Sequence, residues 1–156
     1  SGGLTITPDR DRAMTLPPVV PPQASFVYEA IVEIGPTQML GDGPLGERRL
    51  VPILGGTFEG PHIRGTVLAG GADRQLIRRD GIKRLEALYE MQAEDGAVLT
   101  VFNRVLIDGD AYRFSHIDIA APDGPHAWLN RLLLVGTLNP LRPARDAVLI
   151  RAFSLG

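Results

Sequence analysis

Seven polar side chains stand in stretches of sequence that otherwise read as buried: Glu59, Arg64, Asp73, Tyr89, Asn103, Arg104 and Arg131. Removing a charge from water without a partner costs several kcal/mol or more, so each of them needs a partner, a ligand or a place at the solvent boundary. Glu59 and Asp73 flank the segment 62–68. A carboxylate partly withdrawn from water has its pKa raised toward neutrality, which suits it to act as a general base. The same two carboxylates equally suit a structural role, capping the glycine turns beside them through backbone N–H groups.

His62, Arg64 and Thr66 share one face of that segment, with Ile63 and Val67 on the other. The polar stripe faces either an interior or solvent. Arg64 is then either a clamp for a carboxylate or enolate, or half of an ion pair with Glu59 or Asp73. Tyr89 shares its face with Leu85, Ala87 and Met91, so its hydroxyl interrupts an otherwise apolar row and needs a buried partner or a ligand. Asn103 sits among Leu99, Val101 and Val105, where an amide is hard to leave unsatisfied. Arg104, Trp128 and Arg131 supply charge and stacking at a pocket rim, or else a snorkelling arginine and a tryptophan plugging a barrel end. His116 and His126 carry no spacing argument and are read as structural.

Composition narrows the chemistry. With no cysteine, the 156-residue chain has no disulfide, thiolate metal site or cysteine nucleophile. The three histidines form no H-x-x-x-H pair, so no metal site and no cofactor is expected. Phosphate loops, nucleophile elbows and zinc helices are absent from the sequence. Residues 41–46 match G-x-G-x-x-G but lie between strands and open no helix, which argues against a nucleotide site. A net charge of -2 offers no cationic excess for nucleic acid. The aliphatic run 132–135 is far shorter than the roughly 18 residues of a spanning helix, so no membrane partner is expected. A cytoplasmic location is the default expectation.

The elements that must position these groups are short strands. Eighteen glycines and 13 prolines are scattered between apolar stretches, the pattern of an all-β chain rich in turns. Alternation predicts strands at 26–34, 48–54, 62–68, 74–78, 85–92, 97–107, 111–119 and 146–154, with 128–138 read as a strand over a helical turn. In the first, Phe26, Tyr28, Ala30, Val32 and Ile34 are expected to share one face. Glycine-rich turns are expected at 41–46 and 55–61. Asp80-Gly81, Asp95-Gly96 and Asp108-Gly109 carry hairpin signals. Residues 1–24, broken by five prolines, read as an extended arm, leaving 25–156 as a single domain. Hairpin-joined strands without intervening helices imply an antiparallel up-and-down barrel of about 8–10 strands, with a two-sheet sandwich as the competing architecture.

The run Val51-Pro52-Ile53-Leu54-Gly55-Gly56-Thr57-Phe58-Glu59-Gly60-Pro61, continued by Arg64-Gly65 and Gly70-Gly71-Ala72-Asp73, resembles the DUF3237 family, also called UPF0311. The resemblance extends through Asp80-Gly81, Tyr89, Asp95-Gly96-Ala97, Asn103-Arg104, Trp128-Leu129-Asn130-Arg131 and Val135-Gly136-Thr137. It implies a small antiparallel β-barrel, often oligomeric, whose biochemical role is largely unassigned at family level.

The residues together suggest a barrel that binds a small organic molecule and performs cofactor-independent acid–base chemistry of the isomerase, cyclase or lyase type. In that reading Glu59 or Asp73 takes a proton, Tyr89 or His62 returns it, Arg64 stabilises developing negative charge and Asn103 orients the substrate. The alternatives are a non-catalytic carrier or sensor and an oligomeric assembly protein.

Overall fold

The computed structural model describes residues 14–156. Ten strands follow one another: β1 (Ala24–Ile34), β2 (Gln38–Gly43), β3 (Gly46–Glu59), β4 (Arg64–Val67), β5 (Ala72–Arg78), β6 (Lys83–Ala93), β7 (Val98–Asp108), β8 (Tyr112–Ala120), β9 (Leu134–Pro140) and β10 (Ala147–Leu155). Every pairing is antiparallel, and β1 bonds to both β10 and β3, which closes the sheet on itself. The short strands β4 and β5 both lie between β3 and β6 and together fill one position, so the closed barrel has eight. Closure pairs both edges of every ring strand, and β2, bonded to β3 alone, adds the one unpaired edge among the described strands. The expected antiparallel barrel is the fold observed.

Alternation places the core inside the ring. Leu85, Tyr89, Met91, Leu99, Val101, Val105, Ile117, Leu134 and Ile150 are among the buried residues of a single apolar cluster. The Asp-Gly hairpins form as the sequence predicts, with Gly81, Gly96 and Gly109 at positive φ.

Four local expectations are corrected. Residues 55–61 do not end a strand, because β3 runs on to Glu59. Gly56, at φ 139°, lets the strand bend there, and a Cβ at this position would stand 2.0 Å from the Ile31 carbonyl oxygen. The stretch 41–46 is not one long turn either: β2 continues to Gly43 and only Pro44-Leu45 separates it from β3. Phe26 does not share the face of Tyr28. A register shift between them leaves Phe26 43% exposed, edge-on to Phe153, while Val27 and Tyr28 are both buried.

The fourth correction concerns 128–138. Its first part is a 3-10 turn, Ala127–Arg131, and only Leu134–Pro140 is strand. The Asn130 amide pins that turn by donating to the Ala121 carbonyl and accepting from the Ala121 N–H, at 2.9 and 2.8 Å. Leu129 is buried in the core cluster, with Trp128 packed against it, so this turn stops one end of the barrel.

Of the proline-rich arm, residues 1–13 lie outside the described residues. Residues 14–23 carry no helix or strand and are exposed, and Gln23 is tied to Gly156 by two backbone hydrogen bonds of 2.8 and 2.9 Å.

Candidate active site

Pairing register brings Asp73, Tyr89 and Asn103 together. Asp73 on β5 stands opposite Val51 on one side and Ala87 on the other, Ala87 stands opposite Asn103, and Asn103 opposite Ile117. Cross-strand partners share a face, so these five residues make one row around the inner wall. Asp73 and Asn103 are two strand spacings apart, about 10 Å, with only the Ala87 methyl between them. Tyr89, two residues beyond Ala87, rises from the same face one step further from the open end.

A break in the wall seats the pair Asp73 and Tyr89. Between β4 and β5 the chain passes through Gly70, at φ 112°, and Gly71, which lies directly on β6. A Cβ on Gly71 would stand 2.4 Å from the Tyr89 Cβ and 2.6 Å from the Leu88 carbonyl oxygen. Only glycine allows that approach, and Asp73 follows two residues later.

The row borders a cavity of about 300 Å³. Its wall is mostly aliphatic, including Val51, Leu85, Val105 and Ile150, and its outer rim carries Arg49, Lys83 and Arg142. The opposite end of the barrel is the one stopped by Leu129. The cavity therefore opens at one end only, with its polar groups set between an apolar floor and a cationic rim.

Three of those polar groups are buried with an atom left unbonded. Asp73 Oδ2 accepts a 2.9 Å hydrogen bond from Gln75 Nε2, while Oδ1, the Tyr89 hydroxyl and Asn103 Oδ1 have no partner. Burial pushes the Asp73 pKa up to about 6, against a smaller lowering by the Gln75 bond. Near neutral pH this carboxyl is accessible in both protonation states. Burial, and then the neighbouring Asp73 charge, hold the Tyr89 phenol well above its ordinary pKa, so it stays a neutral donor. Tyr28, fully buried behind it with its own hydroxyl unpartnered, is raised by burial and by Tyr89.

The other residues singled out by sequence lie elsewhere. Glu59 is exposed at the end of β3, opposite Arg64 in register, in an outer groove that also holds Glu94. Arg64 pairs with Glu94 at 3.5 Å, both largely hydrated, and neither Glu59 nor Asp73 is its ion-pair partner. His62, Arg64 and Thr66 thus form a solvent face, while Ile63 and Val67 are buried, because the odd-numbered residues of this segment point inward. His62 packs edge-on to Trp128 at the stopped end, with ring centroids 6.4 Å apart. Arg104 lies on the outer wall, 3.2 Å from His116 Nδ1, 3.6 Å from Asp118 and over the Phe102 ring. Arg131 is exposed on the 3-10 turn. Neither Trp128 nor any histidine lines the cavity.

Sequence reading missed Gln75, Arg49, Lys83 and Tyr28. The signal for three of them is present as period two: Gln75 follows Asp73 by two, Arg49 precedes Val51 by two, and Lys83 precedes Leu85 by two. Each prolongs an inward-facing row toward the open end. Arg142 arrives from the β9–β10 connection, which no periodicity places.

Among the described residues, no group of three or more His, Cys, Asp or Glu side chains is placed to hold a metal ion. No helix there is long and apolar enough to cross a membrane.

The family model described as "Protein of unknown function (DUF3237)" matches residues 22–111, more than half of the chain. This chain belongs to the DUF3237 family. A UPF0311 protein of Rhodopseudomonas palustris (strain TIE-1) is 35% identical over 103 residues, covering 66% of this chain and 67% of that protein. Other UPF0311 relatives are matched over about half their length, 53% and 49%. The crystal structure of the Rhodopseudomonas palustris protein of unknown function RPA1785 superposes with a TM-score of 0.80 at 27% identity, covering 88% of this chain and all of that one. The hydroalkoxylation enzyme phnH of Penicillium herquei is 29% identical over 117 residues, covering 75% of this chain and 74% of that protein. The DUF3237 barrel is thus seen in a solved structure, and a similar protein bears the name of an enzyme.

Proposed function

We propose that this DUF3237 barrel binds a small organic molecule in its end-open cavity and moves a proton on it without a cofactor, Asp73 acting as the acid–base group. The observation that carries the reading is the state of that carboxyl. Asp73 is held by Gln75 through one oxygen and leaves the other without a partner, buried beside a neutral phenol and an amide oxygen, and that burial pushes its pKa up to about 6. The second oxygen of so buried a carboxyl needs a partner, which a molecule in the cavity can supply. Tyr89 then donates a hydrogen bond to a substrate oxygen, and the Asn103 amide orients the same molecule across the gap left by Ala87.

Hydroalkoxylation, the addition of an O–H group across a C=C bond, shows how one such carboxyl suffices. The Asp73 carboxyl gives its proton to an alkene carbon, the substrate hydroxyl oxygen forms the new C–O bond, and the carboxylate takes up the hydroxyl proton. Atoms balance, and Asp73 returns to its starting state. Isomerisation and the reverse elimination use the same two transfers.

The test is a panel of unsaturated alcohols and phenols incubated with the protein in D2O, read by NMR for deuterium at carbon and for ether formation. Catalysed incorporation that disappears in Asp73→Asn, with ligand binding retained, is expected. Binding without exchange or turnover in the wild-type protein across the panel overturns the reading in favour of a carrier.

A further inference from the structure

The rim of the cavity differs in charge from its interior. Arg49 is neutralised by Glu47, with Nη2 to Oε2 at 2.6 Å, and Arg142 by Asp146, with Nε to Oδ1 at 3.0 Å. Lys83 lines the same opening and makes no ion pair among the described residues. Its cross-strand partners are Ile77 and Ile107, both apolar. The two carboxylates three residues away along the chain are taken or turned away. Asp80 is bound by Arg78, and Glu86, out of phase with the cavity-lining Lys83, Leu85 and Ala87, stands on the outer wall opposite Arg74 and Arg104 in register. Asp108 follows the cavity-lining Ile107 and likewise alternates to the outer wall. Three cations against two carboxylates leave one uncompensated positive charge at the entrance.

The wall between that charge and the Asp73 row is aliphatic, from Leu85 and Val105 to Val51. A ligand that satisfies the whole cavity therefore has an apolar body, a neutral oxygen at the deep end and an anion at the shallow end. The reverse orientation would set an anionic group against the Asp73 carboxylate, a like-charge contact in a poorly hydrated space.

We infer that the substrate class is an organic acid with an apolar body, its carboxylate held at the rim by Lys83 while its hydroxyl or alkene end reaches Asp73, Tyr89 and Asn103. This inference rests on the proposed function for the deep end and adds the specificity of the entrance. Lys83 is a binding residue in it and takes no part in proton transfer. Because an ammonium at the solvent boundary acts through a screened charge, the preference weakens as salt is raised.

The experiment compares 4-phenylbutyrate with its primary amide, binding measured by calorimetry at low and high salt, on the wild type, Lys83→Met and the charge reversal Lys83→Glu. The wild type is expected to bind the carboxylate roughly tenfold tighter than the amide, the size of a hydrogen bond to a charged group. Lys83→Met should remove that preference and leave amide affinity unchanged, and Lys83→Glu should reverse it. Equal affinity for the two probes in the wild type, or a preference that survives Lys83→Met, overturns the inference about the rim. It leaves the D2O exchange test of Asp73 untouched. Failure of both probes to bind, at any salt, overturns the rim inference together with the claim that the cavity takes up such molecules.

Discussion

Asp73 and Glu59 are two carboxylates on either side of the same short segment, and the barrel treats them in opposite ways. Glu59 ends β3 on the outer wall, beside Arg64 and Glu94, open to water. Asp73 begins β5 on the inner wall, bonded to Gln75 and otherwise unpartnered, with its pKa pushed up to about 6. Residue type is the same in chemistry, and strand phase decides the environment. An inward phase removes water and stores reactivity in a carboxyl, whereas an outward phase leaves an ordinary surface charge.

The comparison breaks most visibly in turnover. Asp73→Asn is expected to lower proton-transfer activity by about a hundredfold or more, the usual share of a general acid–base group, while Glu59→Gln stays within about twofold. Equal losses in both variants, measured as initial rates of deuterium incorporation, would erase the distinction between the two walls.

Stability should follow pH in a way that only the inner carboxyl explains. A carboxyl whose pKa is raised in the folded state binds its proton more tightly there than in the unfolded chain. The stability it supports is full below about pH 4 and is lost as pH rises toward about 6. The loss is about 3 kcal/mol. Asp73→Asn removes that loss, so in urea melts the variant should match the wild type near pH 4 and exceed it by about 3 kcal/mol at pH 7.

A smaller effect sharpens the geometry. Ala87→Leu fills the gap between Asp73 and Asn103 with atoms of the wall itself, and it should weaken binding of a cavity ligand by about tenfold while the barrel stays folded. The smallest effect belongs to the outer wall. Arg64→Ala breaks a solvated pair with Glu94 and should change stability by less than about 0.5 kcal/mol by chemical denaturation.

Much of this was legible in the sequence, for a physical reason. Strands alternate, so a polar residue in phase with apolar neighbours is inside whatever the rest of the chain does. Tyr89 with Leu85 and Met91, and Asn103 with Val101 and Val105, are read correctly on that ground alone. The phase of 62–68 is equally visible, but which of its two faces looks inward is settled only by the pairing of β4 with β3 and β6, which buries Ile63 and Val67 and leaves His62, Arg64 and Thr66 outside. Trp128 takes the barrel-end role rather than the rim role, and its segment is a turn rather than a strand because periodicity does not announce that Asn130 folds the start of 128–138 onto Ala121. The rim was missed because Arg49 and Lys83 look like ordinary charged strand ends until the barrel closes and one end is stopped.

The most direct measurement is an NMR titration of the Asp73 side-chain carboxyl in the wild-type protein, assigned by its disappearance in Asp73→Asn. The account predicts a midpoint near 6. A midpoint near 4, the value of a hydrated aspartate, would contradict it.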